Sequence, residues 1–315
     1  MLRQSIQQRH HAKVCVSITS EHSGLTHELG LELFKTTRRL EKDGKRCDTQ
    51  SFLGAFVAVA FTPDDLQLTK GSPELRRRFL DRAILNAQPS HLGNALRYAQ
   101  ALKGRNRLLA QDASDALLLS YDEVLAKEGA QLMAAREAYV RALESVLTQS
   151  FEHIAQPAPP LRVGYQSTVP PEVESRDRAS LESALRSLLE RRRTHDRHRR
   201  STSIGPHRDD LELFLDDKPV KLRASQGQHR ALVLALKLAE LQMVTERLGE
   251  PPVLLLDDIS SELDQVRSRQ LFEAVEALRG QVILSTTDER QIPAPLGTIF
   301  YDVQGGRLAA RQSPA

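Results

Sequence analysis

The stretch PPVLLLDDISSELD, residues 251–264, carries the most distinctive set of acidic residues in the chain. An apolar run ends in Asp257 and Asp258, and Ser261 and Asp264 follow shortly after it. A carboxylate at the carboxyl end of a buried parallel strand lies where ligands bind in open α/β sheets. One such aspartate can hold Mg²⁺ through water, and the acid beside it can orient or deprotonate an attacking water. The alternative is a strand that ends in a solvated acidic turn.

The stretch SQGQHR, residues 225–230, offers a different chemistry. Ser225 and Gly227 open a long helical pattern. A hydroxyl, free backbone N–H groups and the positive end of the helix dipole would therefore meet at one point, which is suited to an anion. The alternative is an ordinary N-cap followed by a glycine turn.

Arginines are concentrated in two stretches, ELRRRFLDR and LERRRTHDRHRR. Such density suits the neutralisation of DNA phosphates, with an affinity that depends strongly on salt. The chain has no Trp and only 5 Tyr, so contact with a duplex backbone is favoured over base stacking. The alternatives are a solvated face or intramolecular ion pairs. The candidate DNA contacts are Arg76, Arg77, Arg78, Arg191, Arg192, Arg193, Arg197, Arg199 and Arg200.

The stretch GPHRDDL contains His207, Arg208, Asp209 and Asp210, which together suggest an acid–base site. A single histidine in a turn after Gly-Pro is more often structural, and the sequence has no partner histidine at metal-ligand spacing. We therefore predict that this motif organises the return of the chain into its C-terminal sheet.

The composition narrows the class of protein. With 315 residues, 40% hydrophobic and 27% charged, the chain is typical of a soluble globular protein of one large or two ordinary domains. A net charge of +3 is too small to indicate nucleic acid by itself. Two isolated cysteines favour a reducing compartment. No apolar run reaches the roughly 18 residues of a membrane span, and the N terminus does not have the pattern of a signal peptide. These features predict a cytoplasmic protein that has no membrane partner.

The elements that must position these residues alternate between sheet and helix. Residues 13–20 and 25–34 predict an antiparallel hairpin, and residues 56–61 predict a buried strand. Next come a helix that begins after Ser72 and at least two long helices over 91–154. They are followed by a strand over 161–167 and an arginine-rich helix that ends near 200. Both ends of the chain are predicted to form sheet around a helical insertion, so the sequence predicts a split domain.

The C-terminal third has the element pattern of an α/β unit. It begins with a hairpin and a helix capped by Ser225. The buried strand PVLLLDD, a helix closed by Gly280 and the buried strand QVILSTTD come next. Strand, helix and strand in this order indicate a parallel sheet.

Several of these strings resemble known families. SQGQHRALVLALKLAEL, PPVLLLDDISSELD and ILSTTD resemble the signature helix, Walker B strand, D-loop and switch strand of ABC/SMC-type ATPases. A narrower resemblance is to the RecF family of bacterial DNA-repair proteins. It is carried by FTPDDLQLTKGSPELRRRFLD, LKGRNRLL and SIGPHRDDLELFLDDKPVKLRASQGQHRALVLALKLAE. The resemblance covers the chain from about Ala12 to its C terminus.

This resemblance implies an α/β fold in which both chain ends form an ABC-type ATPase head around an inserted α-helical arm. The expected segments are 1–72 and 201–315 for the head and 73–200 for the arm. ATP and Mg²⁺ would lie between two protomers of an ATP-dependent homodimer. The implied site residues are Ser225, Gln226, Gly227 and Gln228 at the γ-phosphate in trans, Asp257 at magnesium, Asp258 as catalytic base, Ser261 and Asp264 at the dimer seam, and Thr286 or Thr287 near the γ-phosphate.

The family implies a function in DNA replication, recombinational repair and the SOS response to DNA damage. The expected partners are duplex DNA beside single-strand gaps and RecO- and RecR-like mediators, with which the protein helps to load a recombinase. A weak, DNA-dependent ATPase activity is also implied.

One motif of the family is not found in the sequence. The phosphate-binding loop G-x-x-x-x-G-K-[ST] is absent, since the one Gly-Lys pair, Gly44–Lys45, is followed by Arg46. The expectation is that this loop belongs to residues N-terminal to the sequence. The alternative function is a DNA- or partner-binding module without ATPase activity. A transporter ATPase subunit is disfavoured by the helical insertion and the arginine stretches.

Overall fold

The computed structural model describes residues 11–20, 24–173, 175–258, 265–288 and 298–311, so Ser261 and Asp264 lie outside the described residues. The strands are β1 (His11–Thr19), β2 (Thr26–Phe34), β3 (Arg38–Lys42), β4 (Lys45–Arg46), β5 (Ala58–Phe61), β6 (Leu161–Gln166), β7 (Asp210–Leu215), β8 (Lys218–Pro219), β9 (Val253–Asp257), β10 (Val282–Ser285), β11 (Phe300–Gln304) and β12 (Arg307–Arg311). The helices are α1 (Thr49–Leu53), α2 (Pro73–Ala87), α3 (His91–Ala110), α4 (Asp115–Ile154), α5 (Arg178–Arg199), α6 (Val220–Arg223), α7 (Gln226–Leu248) and α8 (Gln265–Leu278), with a 3₁₀ helix over Pro63–Leu68.

The N-terminal strands form an antiparallel sheet in the order β1-β2-β3-β4. β1 and β2 pair along their whole length, for example Val14 with Leu31, which confirms the predicted hairpin. At the other end of the chain β11 and β12 form a separate antiparallel hairpin.

The parallel sheet has the order β10-β9-β5. β9 pairs in parallel with both neighbours, and α8 connects it to β10, so the predicted strand–helix–strand unit is confirmed. Leu254 and Leu256 of β9 point into the core. The prediction that β10 is a buried strand is wrong: it forms the edge of the described sheet, only one of its faces packs on the core, and Ile283 on the other face is 56% exposed.

Two predicted details at element ends are also corrected. α8 ends at Leu278 and Arg279 takes the left-handed conformation with φ of 54°, so Gly280 does not supply the stop. A Cβ on Gly280 would lie 2.9 Å from Cβ of Pro251, so close approach to the start of β9 is what this position requires. The hairpin after β7 is shorter than predicted, because β8 has two residues and the chain then enters α6.

The helical region consists mainly of α3, α4 and α5, and it confirms the long helices expected over residues 91–154. α4 has 40 residues and is about 60 Å long. Along it, Leu132, Tyr139, Leu143 and Leu147 are buried, as their helical spacing predicts. No helix within the described ranges is long and apolar enough to cross a membrane.

One main hydrophobic core joins the regions. It contains Val59 of β5, Leu143 of α4, Leu234 of α7 and Leu254 of β9. In addition, β6 pairs in antiparallel fashion with β7, so that Val163 lies opposite Leu213. The helices are thus anchored on both the parallel sheet and the sheet formed by β6–β8.

Candidate functional site

Two neighbouring parallel strands end in polar side chains that contact each other. The register pairs Asp257 of β9 with Ser285 of β10. The hydroxyl of Ser285 donates to Oδ1 of Asp257 at 2.6 Å, and its Oγ and carbonyl oxygen lie 3.2 and 3.1 Å from the backbone N–H of Asp258. Ser285 therefore holds both aspartates at the carboxyl edge of the sheet.

A third polar residue lies beside Asp257 at this edge. Phe61 of β5 pairs with Leu256, and the next residue, Thr62, continues in an extended conformation with φ of −129° and ψ of 160°. The backbone N–H of Thr62 donates to Oδ2 of Asp65 at 2.9 Å, which fixes the start of the 3₁₀ helix. Thr62, Asp257 and Ser285 form what we call the polar row.

The polar row offers oxygen donors, which are the ligands that Mg²⁺ prefers. Asp257 is exposed at the strand end. Within the described residues, no group of three or more His, Cys, Asp or Glu is arranged to enclose a metal ion. A magnesium ion here would be held by Asp257 together with water and the oxygens of a bound phosphate, which is the usual manner for Mg²⁺ on nucleotides.

Asp258 differs from Asp257 in its backbone. Its φ is 48°, in the left-handed region that few residues other than glycine adopt. The chain thus turns away from β9 directly after Asp257, and the side chain of Asp258 is half-buried while that of Asp257 is exposed. Aspartate adopts this region more readily than most residues, and Asp43, Asp112, Asp216 and Asp217 do so as well, so the conformation marks a tight turn.

The two threonines after β10 have different environments. The hydroxyl of Thr286 accepts from the backbone N–H of Asp288 at 3.0 Å and lies 3.2 Å from the carbonyl oxygen of the same residue. Thr286 therefore closes the turn at the strand end. Thr287 is exposed, so its hydroxyl faces solvent.

The first turn of α7 forms a second group of candidate residues. Ser225 Oγ accepts from the backbone N–H of Gln228 at 3.2 Å, and Oε1 of Gln228 accepts from the backbone N–H of Ser225 at 2.8 Å. This capping box confirms the predicted N-cap. Ser225 and Gln226 are exposed, and Gly227 and Gln228 are half-buried.

An open cleft of about 400 Å³ lies against this turn. Its walls include Pro157, Pro159, Gly227 and Arg267. Nη2 of Arg267 is 3.4 Å from the point where a Cβ on Gly227 would lie, so a guanidinium group adds its positive charge to the helix N terminus.

The two groups of residues are separate within one chain. α7 has 23 residues and is about 34 Å long, whereas the five residues of β9 span about 17 Å. α7 ends at Leu248 and β9 begins at Val253, so the first turn of α7 and the end of β9 are separated along the chain by both elements.

Three of the predicted DNA-contact arginines form ion pairs with other segments of the chain. Nε and Nη2 of Arg76 donate to the carboxylate of Asp210 at 2.8 and 2.7 Å, and Arg76 is buried. Arg193 pairs with Asp115 and Asp122, and Arg197 pairs with Asp112 and Asp115. For these residues the structure agrees with the ion-pair alternative. Arg76 is also desolvated, so it is unsuited to a transient ligand, whereas Arg193 and Arg197 are half-buried.

The other predicted arginines are more accessible. Arg77 is half-buried, and it donates to the carbonyl oxygen of Asp209 at 2.7 Å; burial lowers its pKa. Arg78 is exposed beside Glu74 on its own helix. Arg191, Arg192, Arg199 and Arg200 at the end of α5 are exposed.

The GPHRDDL motif is an internal support. Nδ1 of His207 lies 2.7 Å from the Tyr98 hydroxyl and Nε2 lies 3.0 Å from the Thr202 carbonyl oxygen, and burial lowers the pKa of His207 to about 4. Asp209 accepts from the Tyr165 hydroxyl and from the backbone N–H of Thr168, and burial raises its pKa. These contacts agree with the structural role predicted for the motif.

Sequence reasoning missed Ser285, Thr62 and Arg267. Ser285 and Thr62 could have been found by aligning the carboxyl ends of the three apolar runs, since each run is followed at once by a polar residue. Arg267 gave no signal, because its proximity to Gly227 depends on how α8 packs beside α7.

A search of family models gave no match for this chain. The DNA replication and repair protein RecF of Myxococcus xanthus (strain DK1622) is 39% identical over 294 residues, which covers 91% of this chain and 77% of the relative. The chain belongs to the RecF family. The RecF of Anaeromyxobacter sp. (strain Fw109-5) is 41% identical over 290 residues, covering 91% of this chain and 78% of the relative.

Solved RecF structures share this fold. The recombination mediator protein RecF of the RecFOR pathway, solved with ATP, superimposes with a TM-score of 0.85 and 26% sequence identity. The match covers 96% of this chain and 81% of that one, and the structure of RecF-ATPrS gives the same values. The predicted α/β fold class of an ATPase head with helical insertion is confirmed, and membership of the RecF family assigns the chain a role in DNA replication and repair.

Proposed function

We propose that this RecF-family chain is an ATP-dependent dimer that binds duplex DNA beside single-strand gaps and, with RecO- and RecR-like partners, helps to load a recombinase. The observation that carries the proposal is the pairing of Asp257 with Ser285 at the carboxyl edge of a parallel sheet. It occurs in a chain whose fold matches that of RecF solved with ATP. In this proposal residues 1–72 and 201–315 form the head and residues 73–200 form the arm.

The roles at the sheet edge follow from exposure and hydrogen bonding. Asp257 would hold Mg²⁺, and Ser285 orients its carboxylate through the 2.6 Å hydrogen bond. When bound, the ion would neutralise charge on the phosphates of ATP. Asp258 would act as the base toward water, and Thr287 would lie near the γ-phosphate.

The first turn of α7 would serve a second protomer. Ser225 and Gln226 are exposed, so their backbone and side chains can meet phosphate oxygens that arrive from outside the chain. Gly227 has no side chain that would keep a phosphate away from the turn. Gln228 completes the capping box with Ser225. Ser261 and Asp264, outside the described residues, remain predictions for the dimer seam.

Titration with Mg-ATP tests the nucleotide part of the proposal. We expect calorimetry to detect binding and light scattering to detect a nucleotide-dependent dimer. Asp257→Asn should remove the magnesium-dependent part of binding, because the neutral amide is a poor magnesium ligand. Ser225→Arg should block dimerisation, whereas Ser145→Arg, at an exposed position of α4, should not.

A chain that neither binds Mg-ATP nor dimerises would contradict this proposal. That result would favour the second candidate function, a DNA- or partner-binding module without ATPase activity. The observation in favour of this candidate is the exposed group Arg191, Arg192, Arg199 and Arg200 at the end of α5, which could bind DNA phosphates without a nucleotide.

The salt dependence of DNA affinity tests the DNA part. We propose that the exposed end of α5 contacts phosphates through Arg191, Arg192, Arg199 and Arg200. Changing all four to Gln should flatten the plot of log affinity against log salt by about 0.9 for each phosphate that the protein no longer neutralises. The matched control removes the same charge from the N-terminal sheet by changing Lys35, Arg38, Lys45 and Arg46, all exposed, to Gln. Equal slopes for the two variants would reject α5 as the contact surface.

A further inference from the structure

A buried side-chain hydrogen bond connects the first turn of α7 to the rest of the molecule. Nδ1 of His229 lies 2.9 Å from Oγ1 of Thr69, in the turn between the 3₁₀ helix and α2. His229 and Thr69 are 6% and 2% exposed. The backbone N–H of His229 donates to the carbonyl oxygen of Ser225 at 2.9 Å, so this histidine belongs to the same helical turn as the cap.

The turn that carries Thr69 is itself fixed from the other side by Arg76. Nη1 of Arg76 donates to the carbonyl oxygens of Leu68 and Gly71 at 3.3 and 3.1 Å, on either side of Thr69. Arg76 is in turn held by the carboxylate of Asp210 through two hydrogen bonds. A Cβ on Gly71 would lie 2.6 Å from the carbonyl oxygen of Gln67, so the turn is too tight for any larger residue.

The opposite side of the α7 turn faces an open cleft. There Gly227 borders the open cleft of about 400 Å³, across from Pro157 and Pro159. The capping box of Ser225 and Gln228 is local to the turn, so it fixes the shape of the turn but not its position relative to the sheet. The Thr69–His229 hydrogen bond joins the turn directly to the segment that precedes α2.

We infer that Thr69 and Arg76 are positioning residues for Ser225–Gln228, the turn that contacts phosphate in the proposed function, on which this inference rests. Arg76 holds the turn of residues 68–71 rigid, Thr69 presents its hydroxyl from that turn, and His229 transmits the position to α7. The 3₁₀ helix that leads to Thr69 begins directly after Thr62 of the polar row, so one short segment carries both Thr62 and Thr69. Arg76, which the sequence suggested as a DNA contact, acts here from the interior.

Hydrogen exchange together with dimerisation tests this inference. Thr69→Val removes the hydroxyl at nearly constant volume, and Thr69→Ser keeps it. In Thr69→Val we expect the backbone amides of Gln228, His229 and Arg230 to exchange about tenfold faster, as for the loss of one buried hydrogen bond. Amides near the C-terminal end of α7 should not change. Nucleotide-driven dimerisation should weaken about tenfold, and Thr69→Ser should restore both measurements.

The matched control is Thr245→Val on the same helix, where the hydroxyl donates to the carbonyl oxygen of Leu241 at 2.8 Å. This variant should leave the first turn unchanged. Equal exchange of the first turn in Thr69→Val and Thr245→Val would overturn the inference. Faster exchange along the whole of α7 would also overturn it, because it would indicate a general loss of stability. If the first turn alone exchanges faster but the unmodified chain does not dimerise with Mg-ATP, the positioning role stands and the proposed function fails.

Discussion

The interior of the helical region and the carboxyl edge of the parallel sheet use carboxylates in opposite ways. In the helical region, Arg105 is fully buried and donates to Asp122 at 2.6 Å and to Asp196 at 2.7 Å. At the sheet edge Asp257 is exposed and receives a 2.6 Å hydrogen bond from Ser285. The carboxylates around Arg105 are neutralised by the protein, whereas Asp257 keeps an open side toward solvent.

The difference has a physical cause. A buried charge is stable only when it is paired and hydrogen-bonded, so Arg105 links α3 to Asp122 of α4 and Asp196 of α5. An exposed carboxylate is stabilised by water and can exchange that water for a ligand. Similar acidic residues therefore belong to the framework in one region and to the proposed site in the other.

The largest effect is expected when the buried network is broken. Arg105→Met leaves Asp122 and Asp196 buried without their main cation, so the free energy of unfolding should fall by about 3–5 kcal/mol. Urea unfolding followed by circular dichroism measures it. Arg192→Met, at an exposed position of α5, is the control and should change stability by less than about 0.5 kcal/mol. If the two variants were equally stable, the network would not hold the helices together.

The next largest effect is expected from pH. Burial, assisted by the charges of Arg208 and Arg77, lowers the pKa of His207 from 6.5 to about 4. Between these values the unfolded chain binds a proton that the folded chain does not, so stability decreases as pH falls through this window. His207 should account for about 3 kcal/mol of that decrease.

The control for the pH effect is His207→Gln, which can still accept from Tyr98 and donate to the Thr202 carbonyl oxygen but does not titrate. Its stability should fall less steeply than that of the unmodified chain between pH 6.5 and 4. If the stability of the two proteins fell equally with pH, His207 would bind its proton as easily in the folded state as in the unfolded state. Below pH 4 both proteins should lose stability together, since hydrogen bonds from His91 and Arg136 outweigh burial and lower the pKa of Asp81 to about 2.

The sequence predicted the parts of the fold that depend on local patterns. The capped start of α7 at Ser225, the apolar strand β9 and the crossover helix α8 were all predicted from spacing and turn chemistry, and the structure confirms them. The carboxylate pair after β9 was predicted in the same way. These features depend on residues that are neighbours in the chain.

The sequence could not predict contacts that depend on tertiary packing. Arg76 meets Asp210 and Arg105 meets Asp196 across long stretches of chain, so the arginine stretches could not be divided into buried and exposed members beforehand. Thr62 and Ser285 became part of the site only through the strand register. Register is a property of the whole sheet, and a shift by one residue would have turned both side chains to the other face.

The smallest effect on stability is expected at the sheet edge, for Ser285→Ala. This variant removes the hydrogen bond to Asp257, but both residues are exposed and water can replace the hydroxyl, so the free energy of unfolding should change by less than about 0.5 kcal/mol. The affinity for magnesium in the presence of ATP should nevertheless fall about tenfold, because the carboxylate of Asp257 is no longer oriented. Calorimetry at varied magnesium concentration measures this, and Ser145→Ala on α4 is the control for loss of an exposed serine hydroxyl. A loss of several kcal/mol in stability would instead place the sheet edge in the same class as the network around Arg105, with carboxylates that serve the framework and are not open to a ligand.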